Sequence, residues 1–134
     1  SFFGLPKLGL ILEPLVIQEN GLKIASLLDL GGMKASVVQK RAEYKDYVDL
    51  YSLLIQTKIS LSHFLSAAAL IYGSSFNPQI SLKALSYFEE GNLKRLTQVH
   101  KAELLNAVKG VNLGSLPSLI QLEQIWFQNK GLFV

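Results

Sequence analysis

The charged residues of this chain are concentrated in one stretch, residues 26–54, where they alternate with apolar residues at helical spacing. All three aspartates of the 134-residue chain, Asp29, Asp46 and Asp49, lie inside that stretch. Residues 59–82, by contrast, contain no Lys, Arg, Asp or Glu. Because a solvated surface would carry its charges more evenly, this distribution predicts a polar site on a helical wall, with the remaining chain as its support.

Length and composition predict one domain with a single core. Hydrophobic residues make up 49% of the chain and charged residues 17%. The net charge of +3 favours an anionic partner without identifying one, because nucleic-acid binding requires clustered charge. The absence of cysteine excludes a disulfide framework and cysteine-ligated zinc. The two histidines, His63 and His100, are too isolated to predict a metal site, so we expect none in this chain.

The uncharged stretch predicts a core helix and not a membrane span. A bilayer-spanning helix needs about 20 predominantly apolar residues, whereas serine, asparagine, histidine and proline interrupt residues 59–82. The apolar part, residues 65–72, is too short. The N-terminus has no basic leader, which argues against a signal peptide. We therefore expect a protein that does not enter membranes, and the absence of cysteine is compatible with an intracellular one.

The first 25 residues favour short β-strands. Apolar runs at residues 8–12 and 15–17 predict two strands, and Asn20-Gly21 predicts a turn after them. Residues 22–25 are a possible third strand. Because two or three short strands do not form a stable sheet alone, we expect them to be the end of a larger sheet.

Helical periodicity begins at residue 26, and Gly, Pro and Asn residues divide the rest of the chain into separate helices. The first has an apolar stripe of Leu27, Leu30, Met33, Val37 and Val38. The later ones are predicted at 43–56, 61–72, 79–88, 99–108 and 118–128. The predicted fold is thus mainly α: terminal strands at 1–25, then one compact helical bundle at 26–134, and α+β in a complete protein.

Two adjacent glycines, Gly31 and Gly32, fall inside the first predicted helix. Each costs about 1 kcal/mol of helix stability relative to alanine. They indicate either an irregular start of the helix or the close approach of a ligand or another backbone.

The charged residues predict either a phosphate site or a structural ion-pair network. Lys34 and Arg41 are two helical turns apart and should share a face, as should Asp46 and Asp49. Such a set can bind a polyphosphate, with a carboxylate that holds Mg²⁺ or accepts a proton. Alternatively, Arg41–Asp49 and Lys45–Asp49 pairs join two helices.

Residues 21–54 resemble the C-terminal signature of the AbiEii/AbiGii-type nucleotidyltransferase toxins. The elements that carry the resemblance are Asp29-Leu30, Met33-Lys34, Arg41 and the run Lys45-Asp46-Tyr47-Val48-Asp49-Leu50. The resemblance implies that the strands before it end a nucleotidyltransferase sheet. The helices after residue 56 are compatible with the variable helical tail of that family.

The resemblance implies Mg²⁺-dependent transfer of a nucleotide from an NTP to RNA (tRNA ends in studied relatives) or to protein. It implies that Lys34 and Arg41 bind the nucleotide and that Asp46 is the catalytic acid that orients or activates the acceptor. Asp29, Lys45 and Asp49 would support them. It also implies a bacterial, cytoplasmic toxin–antitoxin protein of the abortive-infection type, with an antitoxin as partner.

One element of the family pattern is absent from the sequence. Those enzymes hold their metal with an Asp-x-Asp motif after a glycine turn, and this chain has no Asp-x-Asp. We therefore expect the C-terminal part of such a protein (a fragment, a split subunit or a degenerate copy), inactive by itself, with Mg²⁺ bound only in the complete protein.

The alternative hypothesis is a non-catalytic helical interaction module. The enzyme hypothesis predicts that Lys34, Arg41, Asp46 and Asp49 converge on an open concavity. The module hypothesis predicts that these residues pair off and that exposed apolar surface is the functional feature.

Overall fold

The computed structural model describes residues 19–57, 59–118 and 120–122, with side chains from residue 27 onward. Their α-helices are α1 (Glu19–Val37), α2 (Tyr44–Gln56), α3 (Leu61–Tyr72), α4 (Pro78–Ala84) and α5 (Gln98–Lys109). Short 3₁₀ turns lie at Gly73–Ser75, Gly91–Arg95 and Leu113–Ser115. No strand occurs in these ranges. The prediction of a mainly α fold is confirmed.

The predicted bounds of α2, α3 and α5 agree with the structure to within one residue. Helix α4 is shorter than predicted and ends at Ala84 instead of residue 88. The Ala84 carbonyl accepts hydrogen bonds from the Tyr47 hydroxyl (3.1 Å) and from the Tyr87 N–H (3.3 Å). The chain therefore turns more tightly there than an α-helix does. Of the last predicted helix, residues 120–122 are helical and residue 118 is not, while residues 119 and 123–128, with Trp126 and Phe127, lie outside the described residues.

Helix α1 begins at Glu19, well before the predicted start at Ser26. The predicted third strand at residues 22–25 and the Asn20-Gly21 turn are therefore wrong. A four-residue segment with three apolar residues fits either period, and an Asn-Gly pair marks a hairpin only between two strands that pair. The two predicted strands at 8–12 and 15–17 lie outside the described residues.

The two glycines of α1 allow α3 to pack against it at close range. A Cβ atom on Gly31 would overlap the ring of Phe64, and one on Gly32 would lie 3.0 Å from the backbone nitrogen of Ala68. The interpretation of the glycine pair as a close approach of another backbone holds for Gly32, whereas Gly31 makes room for the Phe64 side chain. Of the helix pairs, α1 and α3 have the most extensive contact, and they form the centre of the core.

The buried face of α1 differs from the predicted apolar stripe. Leu28, Ala35 and the two glycines are buried, whereas Leu30 is 38% exposed. Small residues line this face because α3 approaches too closely to leave room for long aliphatic side chains. Val38, the last residue of the predicted stripe, is buried as expected.

Hydrogen bonds from distant residues fix the connection between α1 and α2. The Gln39 side chain donates to Ser81 Oγ (2.8 Å) and to the Asn77 carbonyl (2.6 Å), which anchors the turn after α1 to α4. At the start of α2, the side-chain oxygen of Asn92 accepts from the Tyr44 N–H (2.7 Å), satisfying a donor that the helix itself leaves free. These bonds fix where α2 begins relative to α1.

Within the residues that the structure describes, no helix is both long enough and apolar enough to cross a membrane.

We expect Gly31→Ala to destabilise the fold by about 1–3 kcal/mol, because the buried Phe64 ring has no room to move away and overpacking of this kind costs that much. The matched control is Gly110→Ala. A Cβ atom on Gly110 meets only ordinary contacts, 3.6 Å from the Ala107 carbonyl oxygen. Urea unfolding of both variants measures the difference, and equal stabilities would contradict the close packing of α1 on α3.

Candidate functional site

A buried carboxylate lies at the junction of α1 and α2. Asp46, in the first turn of α2, is only 1% exposed. Burial of an ionised carboxylate is strongly unfavourable unless cations and hydrogen-bond donors compensate it. Two cationic side chains, Lys34 and Arg41, do so here.

Lys34, in the last turn of α1, bridges both predicted carboxylates. Its Nζ donates to Asp46 Oδ1 at 2.9 Å and lies 2.9 Å from Asp49 Oδ2. The Lys34 side chain is 17% exposed and that of Asp49 is 41% exposed. The lysine therefore connects a buried carboxylate to a surface one.

Arg41 binds the same carboxylate from the turn that follows α1. Its Nε donates to Asp46 Oδ2 at 2.8 Å, and its Nη2 donates to Oδ1 at 3.4 Å. The expectation that Lys34 and Arg41 share a helix face is wrong, because α1 ends at Val37. They converge because the chain turns after α1 and brings Arg41 to the start of α2.

The pairing shifts the pKa values of all three groups toward their charged forms. Burial alone would raise the pKa of Asp46, but hydrogen bonds from Arg41 and Lys34 outweigh it and lower that pKa. Burial alone would also lower the pKa of Lys34, but hydrogen bonds to Asp49 and Asp46 outweigh it and raise that pKa. The hydrogen bond to Asp46 raises the pKa of Arg41. At neutral pH the cluster is fully ionised.

A cleft of about 210 Å³ borders this cluster on the outer side of α1. Lys34, Arg41 and Asp46 contribute to one wall, and Lys40 adds a third basic residue. Met33, Ser36, Val37 and Tyr72 complete the lining. The cationic side chains are thus paired and at the same time exposed to an open cleft.

Four of the six site residues predicted from the sequence come together: Lys34, Arg41, Asp46 and Asp49. The specific pairs proposed for a structural network, Arg41–Asp49 and Lys45–Asp49, are wrong. Asp49 pairs with Lys34 instead, and Lys45 is exposed and forms none of the ion pairs found in the described ranges. The roles assigned to these residues stay predictions.

Asp29 lies apart from the cleft. It precedes Lys34 by five residues and therefore points about 140° away around α1. Its side chain is 4% exposed, and its Oδ1 has no hydrogen-bond partner in the described part of the chain. Burial raises the pKa of Asp29 to about 8, so this carboxyl is protonated at neutral pH.

The described residues do not form a Mg²⁺ site. Both oxygens of Asp46 are engaged by Lys34 and Arg41, and one oxygen of Asp49 is engaged by Lys34. Nowhere in the ranges 19–57, 59–118 and 120–122 do three potential metal-ligating side chains cluster. We derive no metal-dependent step from these residues.

The sequence does not predict five of the cleft residues as site residues: Met33, Ser36, Val37, Lys40 and Tyr72. Lys40 and Met33 belong to the charged stretch and flank Lys34 and Arg41 in the sequence, a signal that identifies them. Tyr72 lies far along the chain at the end of a helix predicted as core, and the sequence contains no signal that assigns it to the site.

Comparison of the chain with protein-family models, with curated proteins and with solved structures finds no match. The resemblance to nucleotidyltransferase toxins therefore stays a prediction.

We expect Asp46→Asn to lower the free energy of unfolding at pH 7 by about 2 kcal/mol, because it leaves two cations without their buried counter-charge. The control Asp49→Asn, at a partly exposed pair, should cost about 0.5 kcal/mol. Since folding lowers the pKa of Asp46, its stabilisation is present above its ordinary value of 3.8 and is lost as pH falls through the folded value. We expect denaturant unfolding between pH 7 and pH 3 to show that the difference in free energy of unfolding between Asp46→Asn and wild type becomes smaller below about pH 4. A difference unchanged by pH would contradict the ion pairing.

The opposite pH dependence is expected from Asp29. Its folded pKa of about 8 exceeds its ordinary value of 3.8, so its ionisation makes the protein less stable as pH rises from about 4 to about 8. Asp29→Asn should therefore stabilise the fold at pH 7 by up to about 4 kcal/mol and leave it unchanged at about pH 4. Thermal unfolding as a function of pH measures this, with Glu103→Gln as an exposed control. A variant equally stable to wild type at both pH values would contradict a buried neutral carboxyl.

Proposed function

We propose that this chain is the C-terminal part of a nucleotidyltransferase-like protein, in which Lys34 and Arg41 bind the phosphates of an NTP. The observation that carries the proposal is the ordering of two cations by one buried carboxylate at the edge of a cleft. A lone surface ion pair would not support it.

The geometry supports phosphate binding because the cations retain donors for a ligand. Arg41 has five N–H donors and directs two of its nitrogens to Asp46. Its side chain is 59% exposed, so the rest of the guanidinium faces solvent. Arginine held in this way is suited to planar, two-point recognition of phosphate oxygens, and Lys34 adds a point charge.

In this proposal Asp46 orients Lys34 and Arg41 in addition to the role in acceptor activation that the resemblance implies. Holding side chains in the bound geometry before the ligand arrives reduces the entropy lost on binding. The carboxylate is fixed in turn by its place in the first turn of α2, where negative charge is favourable.

The complete protein in this proposal is a cytoplasmic bacterial toxin that transfers a nucleotide to RNA or protein and is neutralised by an antitoxin. Mg²⁺ would enter with an Asp-x-Asp half, which this sequence does not contain. The chain alone binds the nucleotide and does not catalyse its transfer.

The second candidate is a helical module that binds a partner protein. Two observations favour it: the cleft residues form ion pairs, and several large apolar side chains are exposed. Among these, Ile55 is 50% exposed, Val99 is 59% exposed and Ile120 is 66% exposed. In this case the ion pairs join α1 to α2 and bind no ligand.

Nucleotide binding distinguishes the two candidates. We expect the chain to bind NTP in the presence of Mg²⁺, and we expect Lys34→Ala to weaken binding by about tenfold to a hundredfold, since a hydrogen bond to a charged group contributes about 1.5–3 kcal/mol. Lys109→Ala, at the exposed end of α5, is the matched control and should bind as wild type does. Isothermal titration calorimetry gives both affinities.

Absence of binding at millimolar NTP would exclude the nucleotide site and leave the interaction module. Equal weakening by the Lys34 and Lys109 substitutions would mean that binding follows net charge and not this cleft.

A further inference from the structure

We infer that Tyr72 is the surface on which the nucleobase stacks, so that the cleft binds a nucleoside polyphosphate by its base as well as by its phosphates. This inference rests on the proposed function, because it assigns a second part of the same ligand to the same cleft.

The cleft has a cationic side and an apolar side. Lys34 and Arg41 meet Asp46 where α2 begins, and Tyr72 is the last residue of α3. Helix α1 contacts both α2 and α3, and its residues Met33, Ser36 and Val37 line the cleft together with the cations and the tyrosine. Met33 precedes Lys34 in α1, about 100° away around the helix axis, and continues the lining away from the cations.

Tyr72 packs against the hydrophobic core and also lines the cleft. It is half-buried, and burial raises the pKa of its hydroxyl, so the ring is neutral at physiological pH. It is the last residue of α3, which Gly73, with a φ of 71°, ends directly after it. Within the described residues the Tyr72 ring takes part in none of the aromatic pairs.

The chemistry of the apolar side suits a planar base. A tyrosine ring offers a π-face to any nucleobase, and stacking of a base on an aromatic side chain is substantial and tolerant of base identity. The thioether of Met33 is polarisable and adapts to irregular apolar shapes. A free phosphate or pyrophosphate would gain nothing from these two residues, whereas a nucleotide gains from both sides.

The cleft volume determines how much of the ligand is enclosed. At about 210 Å³ it is smaller than the roughly 300–1,000 Å³ of sites that enclose a drug-sized molecule. It therefore holds part of a nucleotide and leaves the rest of the molecule outside, where a second substrate has access to it.

The test compares two ligands that differ only in the nucleoside: ATP and inorganic tripolyphosphate, each titrated into the full chain in the presence of Mg²⁺. We expect Tyr72→Ala to weaken ATP binding by about tenfold and to leave tripolyphosphate binding unchanged. Tyr72→Phe should bind ATP as wild type does, because it keeps the ring. Tyr72→Leu keeps apolar packing without a π-face and should behave as Tyr72→Ala does.

The control variant is Tyr87→Ala, which removes a tyrosine that is 53% exposed and does not line the cleft. Unchanged ATP binding in Tyr72→Ala and Tyr72→Leu would overturn the inference, as would an equal loss of ATP and tripolyphosphate. Lys34→Ala should weaken both ligands. If wild type binds neither ligand, the proposed function fails; if it binds both and the Tyr72 variants match wild type, only the stacking role fails.

Discussion

The burial of one carboxylate constrains how α1 and α2 meet. Asp46 is 1% exposed, and an ionised group in such a place requires cations at hydrogen-bonding distance. Lys34 from α1 and Arg41 from the following turn supply them, so the end of α1, the turn and the start of α2 are held at one point. The same requirement puts positive charge at the edge of the cleft. Fold and candidate site therefore depend on one interaction.

The packing of α1 on α3 explains which parts of the fold the sequence predicts and which it does not. Helices with clear ends are predicted well: α3 ends before Gly73 and α5 before Gly110. The buried face of α1 is predicted poorly, because a hydrophobicity pattern predicts burial of large aliphatic residues such as Leu30, which is partly exposed. The close contact is made instead by Gly31 and Gly32, which hydrophobic periodicity treats as interruptions. Small residues at a helix contact are visible in a sequence only when the partner helix is known.

The sequence predicts most of the charged residues that meet in the candidate site, but it does not predict how they pair. The density of charge at residues 26–54 is enough to predict that Lys34, Arg41, Asp46 and Asp49 meet. The pairing within the site depends on the residue at which α1 ends. If α1 continued to Arg41, the guanidinium would lie on the helix and not beside Asp46. The contribution of Tyr72 depends on how α3 crosses α1. Both are consequences of tertiary packing, which the spacing of residues along one helix does not contain.

The two functional hypotheses treat charges that pair within the protein and charges that bind a ligand as different groups. In this cluster, however, Lys34 and Arg41 are paired with Asp46 and also line the cleft. Two nitrogens of Arg41 donate hydrogen bonds to Asp46, which orients the guanidinium. The Arg41 side chain is 59% exposed, so it keeps further N–H donors at the surface. Lys34 differs, because its ammonium lies between two carboxylates, and an incoming phosphate must compete with Asp49 for it. That competition takes place at the exposed end of the cluster, where Asp49 is 41% accessible and water screens the pair. In the proposed function the buried pair with Asp46 would persist while a ligand replaced the surface one, so structural pairing does not conflict with the proposed phosphate binding by the same residues.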